Sequence, residues 1–313
     1  MQLVVRLIAA LAFVAVALPA AAQDRVRLLL DWFVNPDHAA LVIAKQQGLF
    51  AKHGLDVELI APADPNAPPK LVAAGQAEYA VTYQPTLQLL AAEGLPLVRV
   101  GVLVAQPLNS VAALEDGPIK TIADFKGRKI GYSIAGFEEA LLGAILEKAG
   151  LTLKDVTLVN VNFALTTALM SRQVDGVIGA FRNFELNELT LAKAKGRLWP
   201  VEENGVPTYD ELILVTKRET VDVPRTKKLL AAIAEATTWL RAHPDEAWTI
   251  FARSGKDLDN ELNKMAWRDT LPLLANDPAA LDRHRYEVFG DFLVKRGLIG
   301  RAPALDTYLR QIE

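Results

Sequence analysis

The chain has 313 residues, enough for two domains that each bury a core of their own. Hydrophobic residues make up 51% and charged residues 23%, an ordinary composition for an α/β protein, and the formal net charge is -3. Because the sequence has no basic run, we do not expect a nucleic acid as a partner. It also has no cysteine, which excludes disulfides, thiolate chemistry and lipid attachment at a cysteine.

The first 22 residues have the layout of a secretory signal peptide. Arg6 precedes an unbroken apolar run over residues 7–18, and Ala20 and Ala22 form a small-residue cleavage signal. The alternative is a membrane anchor, but a spanning helix needs about 20 apolar residues and this run is shorter. We therefore predict cleavage after Ala22 and a mature chain that starts at Gln23. An exported protein without a lipid anchor must be retained between two membranes, so we predict a periplasmic location.

From Asp24 onward, short apolar runs alternate with helical stretches. The apolar runs predict strands over residues 25–30, 55–60, 78–82 and 97–104. Helical periodicity predicts helices over residues 37–53, 69–74 and 84–93. Asn35 is the expected N-cap of the first helix, Pro36 its first residue and Gly54 the glycine that ends it. This β-α-β order is typical of a parallel, doubly wound sheet.

The same alternation returns in the second half of the chain. Strands are predicted over residues 129–132, 156–161 and 174–179, and helices over 137–149 and 164–172. The C-terminal part carries helical periodicity over residues 225–241, 245–251, 259–270 and 281–296. The segments 108–114 and 211–216 are candidates for two crossings between the halves.

The predicted fold is therefore α/β, with two doubly wound lobes joined by two crossover segments. We assign residues 1–22 to the signal peptide, 23–114 to the first part of lobe 1 and 115–210 to lobe 2. Residues 211–313 form the return crossover and the C-terminal helices that complete lobe 1. A double crossover allows two lobes to close on a ligand by hinge motion.

Candidate ligand-binding residues follow the predicted strands, because ligands of open α/β sheets bind beyond the carboxyl ends of the strands. They are Asp31, Trp32, Asn35, His38, Tyr83, Ser110, Phe181, Glu185, Tyr209 and Glu211. Rings offer stacking faces to a flat ligand, and carboxylates accept hydrogen bonds from amines. The set therefore favours a small aromatic ligand that bears amino groups.

Each of these residues also has a structural interpretation. Trp32, Tyr83 and Phe181 would also suit a hydrophobic core, and Asp31 would suit the cap of a local turn. His38 and Glu185 would also suit a solvated helix face. Of Tyr209, Asp210 and Glu211, the alternation of a strand allows at least one, but not all three, to face the cleft. The acid pairs Glu138-Glu139 and Glu202-Glu203 are interpreted as solvated faces or loops.

Signatures of catalysis are missing from the sequence. It contains no nucleophile elbow, no H-E-x-x-H and no P-loop, and its four histidines are scattered without metal-ligand spacing. We therefore predict a protein that is not an enzyme, with no catalytic residue, no metal and no cofactor.

Several motifs together resemble the NMT1/THI5-like family. The resemblance rests on Leu30-Asp31-Trp32-Phe33-Val34-Asn35-Pro36-Asp37-His38, Gly48-Leu49-Phe50, Gly54-Leu55-Asp56-Val57, Ala63-Asp64-Pro65, Tyr83-Gln84-Pro85 and Pro107-Leu108-Asn109-Ser110. It implies the type II periplasmic binding protein fold and a receptor that delivers a thiamine pyrimidine precursor of the formylaminopyrimidine type to an ABC permease of the inner membrane. It also implies ligand contacts at Asp31, Trp32, Asn35, Tyr83, Glu185 and residues 209–211. We expect such a receptor to act as a monomer.

Two departures from the resemblance leave alternatives open. The related eukaryotic pyrimidine synthases carry a lysine and a histidine after the third strand and a cysteine-rich loop. Residues 81–86 here contain neither, and the chain has no cysteine, which argues against that enzyme. Related binders more often have Tyr or Trp and His where this chain has Phe181-Arg182-Asn183-Phe184. Riboflavin therefore remains an alternative ligand, and a sensor kinase an alternative partner to the permease.

Overall fold

The computed structural model describes residues 23–312, so the predicted signal peptide lies outside the described residues. The strands are β1 (Asp24–Leu29), β2 (Leu55–Ile60), β3 (Tyr79–Thr82), β4 (Leu97–Val104), β5 (Asn109–Leu114), β6 (Lys129–Tyr132), β7 (Thr157–Asn160), β8 (Gly176–Phe181), β9 (Gly196–Pro200) and β10 (Leu212–Lys217). The helices are α1 (Ala39–Gln46), α2 (Leu49–Lys52), α3 (Pro68–Ala73), α4 (Gln84–Ala92), α5 (Phe137–Glu147), α6 (Leu165–Met170), α7 (Glu185–Leu191), α8 (Val223–Ala242), α9 (Pro244–Arg253), α10 (Glu261–Thr270) and α11 (Arg283–Lys295).

These strands form two five-stranded sheets. The first has the order β2-β1-β3-β10-β4 and the second the order β7-β6-β8-β5-β9. In the first sheet β1 is parallel to β2 and β3, and in the second β6 is parallel to β7 and β8, as the β-α-β order predicts. The inserted strands β10 and β5 run antiparallel to both of their neighbours. Both sheets are therefore mixed, and the α/β fold class is confirmed.

The chain crosses between the sheets twice, from β4 to β5 and from β9 to β10. We call the first sheet with helices α1–α4 and α8–α11 the first lobe, and the second sheet with helices α5–α7 the second lobe. The sequence assigned residues 108–114 to lobe 1, but β5 pairs with β8 and β9 in the second sheet. An apolar run predicts a buried strand without saying which sheet it joins, and all six residues of β5 are buried.

The predicted helix over residues 37–53 is broken into three pieces. A 3-10 turn (Pro36–His38) comes first, followed by α1 and α2. Asn35 caps the turn as predicted, because its side chain accepts the backbone N–H of Asp37 at 2.8 Å. Gly48 separates α1 from α2 with a φ of 69°, a left-handed conformation that ends a helix.

The C-terminal helices pack mainly on the first lobe, with α8 against α1 and α2 and α11 against α4. Helix α10 packs against the turn Pro36–His38 and also against α7 of the second lobe. It therefore bridges the two lobes. Within residues 23–312, no helix has both the length and the apolar character required to cross a membrane.

Candidate functional site

A cavity with about 420 Å³ of empty space, part of it open to solvent, lies between the two lobes. Fourteen of the described residues line it: Asp31, Trp32, Asn35, Asp37, Tyr83, Ser133, Ile134, Phe137, Glu138, Leu165, Gly179, Phe181, Phe184 and Glu185. They follow β1, β3 and β6, or lie at the end of β8 and in the first turns of α5, α6 and α7. Six of the ten predicted residues are among them, namely Asp31, Trp32, Asn35, Tyr83, Phe181 and Glu185. The rule that clefts form at the carboxyl ends of strands accounts for this convergence.

Asp31 is held by two side chains of the first lobe. Its Oδ2 accepts the hydroxyl of Tyr83 at 2.8 Å, and its Oδ1 lies 2.9 Å from Nε2 of His38. Because Nδ1 of His38 accepts the backbone N–H of Asn35 at 3.4 Å, the Nε2 atom carries the proton and donates to Asp31. His38 does not line the cavity, and its role in this structure is to orient Asp31.

Three other buried carboxyl groups face the same space, namely those of Asp37, Glu138 and Glu185. Oε2 of Glu138 accepts the backbone N–H of Ser133 at 2.7 Å, and Oε2 of Glu185 accepts that of Phe181 at 2.7 Å. Burial raises the pKa of Glu138 to about 8 and the pKa of Asp37 to about 6, and it raises the pKa of Glu185 well above its usual range. None of the fourteen lining residues is Lys, Arg or His. The cavity can therefore accept hydrogen bonds at several points and, where a carboxyl is protonated, donate one.

Glu138 is a site residue that the sequence analysis missed. It was interpreted as part of a solvated acid pair, but only its neighbour Glu139 is partly exposed. Gly179 makes room for Glu138, because a Cβ at this glycine would lie 2.5 Å from Oε1 of Glu138. The signal in the sequence is a carboxylate in the first turn of a helix that follows a strand. Glu185 also lies in the first turn of a helix that follows a strand, and the sequence analysis predicted it for that reason.

Aromatic rings form much of the cavity wall. Tyr83 stacks on Phe137 with a centroid distance of 5.3 Å and meets Phe181 edge-on at 6.4 Å. Trp32 packs edge-on against Phe163 of the second lobe at 4.5 Å. These rings come from both lobes, so a flat ligand in the cavity would be enclosed from two sides.

The remaining predicted residues lie outside the cavity lining. Ser110 is buried in β5. Tyr209 and Glu211 belong to the return crossover, where Oε2 of Glu211 accepts the backbone N–H groups of Leu108 and Asn109 at 2.6 and 3.0 Å and the Tyr209 hydroxyl at 3.0 Å. The expectation that one of residues 209–211 faces the cleft is therefore wrong for this cavity.

Asp210 is also buried away from the cavity. It pairs with Arg285 and accepts the Tyr286 hydroxyl at 2.9 Å. A strand end next to a crossover does not reveal whether its side chains point to the cleft or to the joint between the lobes.

Within residues 23–312, no group of three or more His, Asp or Glu side chains is arranged to hold a metal ion.

Comparisons with known proteins agree with this architecture. Residues 35–247 match the family described as NMT1/THI5 like. The chain is 51% identical over 297 residues to a Haemophilus influenzae protein named for thiamine biosynthesis, with 95% of each chain covered. It is 31% identical over 257 residues to the formylaminopyrimidine-binding protein of Halalkalibacterium halodurans, covering 81% of this chain and 77% of the relative.

More distant relatives include an enzyme. The 4-amino-5-hydroxymethyl-2-methylpyrimidine phosphate synthase of Legionella pneumophila is 24% identical over 264 residues, with 83% of each chain covered. Among solved structures, the alkanesulfonate-binding protein SsuA from Xanthomonas axonopodis pv. citri bound to MOPS has a TM-score of 0.74 at 17% identity, over 93% of this chain and 99% of that one. That likeness shows the fold. The chain thus belongs to the NMT1/THI5-like family and has the type II periplasmic binding protein fold.

Proposed function

We propose that this protein is the periplasmic receptor of an ABC importer and that it captures an aminopyrimidine precursor of thiamine. The observation that carries the proposal is the cavity itself, which combines aromatic walls from both lobes with four carboxyl groups and no basic lining residue. Sulfonate and nitrate ligands are better matched by arginines and by helix N-termini that are free of carboxylates.

An aminopyrimidine complements these groups in two ways. Its amino groups donate hydrogen bonds, which Asp31, Asp37 and Glu185 accept. Its ring nitrogens accept hydrogen bonds, and Glu138 supplies a donor at neutral pH because burial raises its pKa to about 8. The name of the Halalkalibacterium relative, a formylaminopyrimidine-binding protein, supports this class of ligand.

Capture by closure is the mechanism that fits two lobes joined by two crossovers. Asp31, Trp32 and Tyr83 on the first lobe meet Phe181 and Glu185 on the second, so a bound ring is desolvated when the lobes come together. We propose that the lobes move about the joint of residues 105–108 and 201–211. The closed form would then dock on the permease, and residues 1–22 would direct export.

The family also contains synthases, but no feature of this site favours that activity. The resemblance implies that the related synthases carry a lysine and a histidine after the third strand, where this chain has Tyr83, Gln84 and Pro85. Incubation with pyridoxal phosphate is the direct check: we expect no absorbance band of a bound internal aldimine and no pyrimidine product.

A thermal-shift screen of the mature chain from Gln23 tests the ligand. The probes are formylaminopyrimidine, the hydroxymethyl pyrimidine, riboflavin and taurine. A ligand at a hundredfold excess over Kd adds about 2.7 kcal/mol to the free energy of unfolding, so a true ligand is easily detected. We expect a large shift with a pyrimidine alone. A shift with riboflavin or taurine instead would overturn the proposed ligand class.

A further inference from the structure

One buried contact between the lobes ends on a carboxyl group of the cavity. Nδ2 of Asn183, in the second lobe, donates to Oδ1 of Asp37 at 2.6 Å and to the hydroxyl of Thr270 at 2.8 Å. The Thr270 hydroxyl itself lies 3.3 Å from the same Oδ1. All three residues are buried, and Asp37 also lines the cavity. Asn183 therefore contacts the site from across the cleft.

A second asparagine makes a parallel contact one helical turn later. Nδ2 of Asn187 donates to Oδ2 of Asp269 at 2.8 Å and to the backbone oxygen of Asn183 at 2.9 Å. Together Asn183 and Asn187 join the start of α7 to the end of α10. The two contacts differ in one respect that matters here, because Asp37 lines the cavity and Asp269 does not.

We propose that Asn183 is a positioning residue that couples closure of the two lobes to the charge on Asp37. The inference rests on the closure part of the proposed function and is independent of which ligand the cavity takes. In the closed form, Asn183 supplies the amide donor that a buried Asp37 carboxylate needs in place of water. Opening the cleft separates the two residues and returns Asp37 to water.

The charges around Asp37 set the direction of the coupling. His38 lies on the same turn, Asp31 faces it from the end of β1, Glu185 from α7, and Asp269 lies beside the contact on α10. Burial raises the pKa of Asp37 to about 6, whereas the hydrogen bond from Asn183 lowers it. The closed form thus binds a proton more tightly than an open, solvated form, so acid favours closure.

The test measures closure without any ligand. The chain has no cysteine, so Lys154→Cys on the second lobe and Lys227→Cys on the first, both at exposed positions, give a unique pair of spin labels. Pulsed electron resonance then gives the ratio of closed to open molecules at about pH 5 and about pH 8. We expect Asn183→Ala to lower that ratio about tenfold at the higher pH and only about threefold at the lower pH, because a neutral acceptor makes a weaker hydrogen bond than a carboxylate.

Asn187→Ala is the matched control, because it also removes a buried amide between α7 and α10. It is expected to lower the ratio by the same factor at both pH values. An identical pH response of the two variants, or no opening with Asn183→Ala, would overturn the proposal.

Asp37→Asn covers the case in which Asn183→Ala does not fold. It keeps an acceptor for Asn183 but loses the charge, so its closed fraction should depend less on pH than that of the wild type. A wild-type pH response in Asp37→Asn would contradict the coupling.

Adding formylaminopyrimidine to the labelled wild type reports separately on the proposed function. If the distribution of distances between the spin labels does not shift to the closed form, the result counts against that ligand alone.

Discussion

Two groups of buried carboxylates lie close together in this protein and differ in how completely the chain satisfies them. In the joint between the lobes, Glu211 accepts two backbone N–H groups and a tyrosine hydroxyl, and Asp210 pairs with Arg285 and Tyr286. In the cavity, Glu138 and Glu185 each accept a backbone N–H group and line the space between the lobes.

We interpret this difference as one between carboxylates that hold the fold and carboxylates that are placed to contact a ligand. A buried charge needs partners, and those of Glu211 and Asp210 come from the protein itself. Burial raises the pKa values of Glu138 and Glu185, and it also raises that of Glu211 to about 7 despite its three donors, so the two groups differ in their partners and not in the direction of the pKa shift. We therefore expect substitutions in the joint to affect stability most and substitutions in the cavity to affect binding most.

The largest effect is expected for Glu211→Ala. The change leaves the N–H groups of Leu108 and Asn109 and the hydroxyl of Tyr209 buried without their acceptor, so the free energy of unfolding should fall by about 4 kcal/mol. Urea denaturation measures this, and Glu203→Ala at a nearby exposed position is the control. Wild-type stability in Glu211→Ala would contradict the structural role of the joint.

A pH dependence of stability is expected from the cavity. The folded state binds a proton at Glu138 more tightly than the unfolded state, since the pKa rises from 4.5 to about 8. The stabilisation is complete below about pH 4.5 and is lost as the pH rises through about 8, a change on the order of 5 kcal/mol. Urea denaturation across this range should give a smaller loss in Glu138→Gln than in the wild type. An unchanged pH profile in Glu138→Gln, with Glu139→Gln as control, would show that Glu138 is not the group responsible.

Glu185→Gln should weaken binding while leaving stability nearly unchanged. Gln replaces one carboxyl oxygen with an amide donor and leaves a ligand amino group without its acceptor, so the affinity for formylaminopyrimidine is expected to fall by about 30-fold, or about 2 kcal/mol. The control is Glu188→Gln on the same helix, whose carboxylate contacts Thr166 and does not line the cavity. Equal affinities in the two variants would remove Glu185 from the site.

The smallest effect is expected for Trp32→Phe. A smaller ring preserves an aromatic wall but loses part of the stacking area, so affinity should fall by about fivefold. Trp199→Phe, which alters a ring packed on Phe125 away from the cavity, should leave affinity unchanged. A titration of each variant with formylaminopyrimidine gives the comparison, and equal losses would argue that Trp32 acts only through general packing.

Much of the architecture could be predicted from the sequence because strand-ending residues are easy to locate. Asp31, Trp32, Tyr83 and Glu185 each follow a predicted strand or begin the next helix, and they meet in the cavity. Glu138 has the same kind of position, but its neighbour Glu139 made the pair resemble a solvated face. The burial of Glu138 depends on Gly179, more than thirty residues away along the chain, which local pattern does not reveal.

The residues of the two crossovers were harder to assign. Residues 108–114 and 209–211 are apolar or mixed segments between two sheets. The sequence does not show which of their side chains face the cleft and which are buried in the joint between the lobes. That division depends on which strands pair across the fold, such as β5 with β8 and β10 with β4. The contact of Asn183 with Asp37 likewise requires both lobes in place.

The most direct test of the central claim is a calorimetric titration of the mature protein with formylaminopyrimidine near neutral pH. We predict saturable binding of one molecule per chain, with the affinity reduced in Glu185→Gln and unchanged in Glu188→Gln. Absence of binding by the folded wild-type protein, or tight binding of taurine in its place, would contradict the claim that this carboxylate-rich cavity receives an aminopyrimidine.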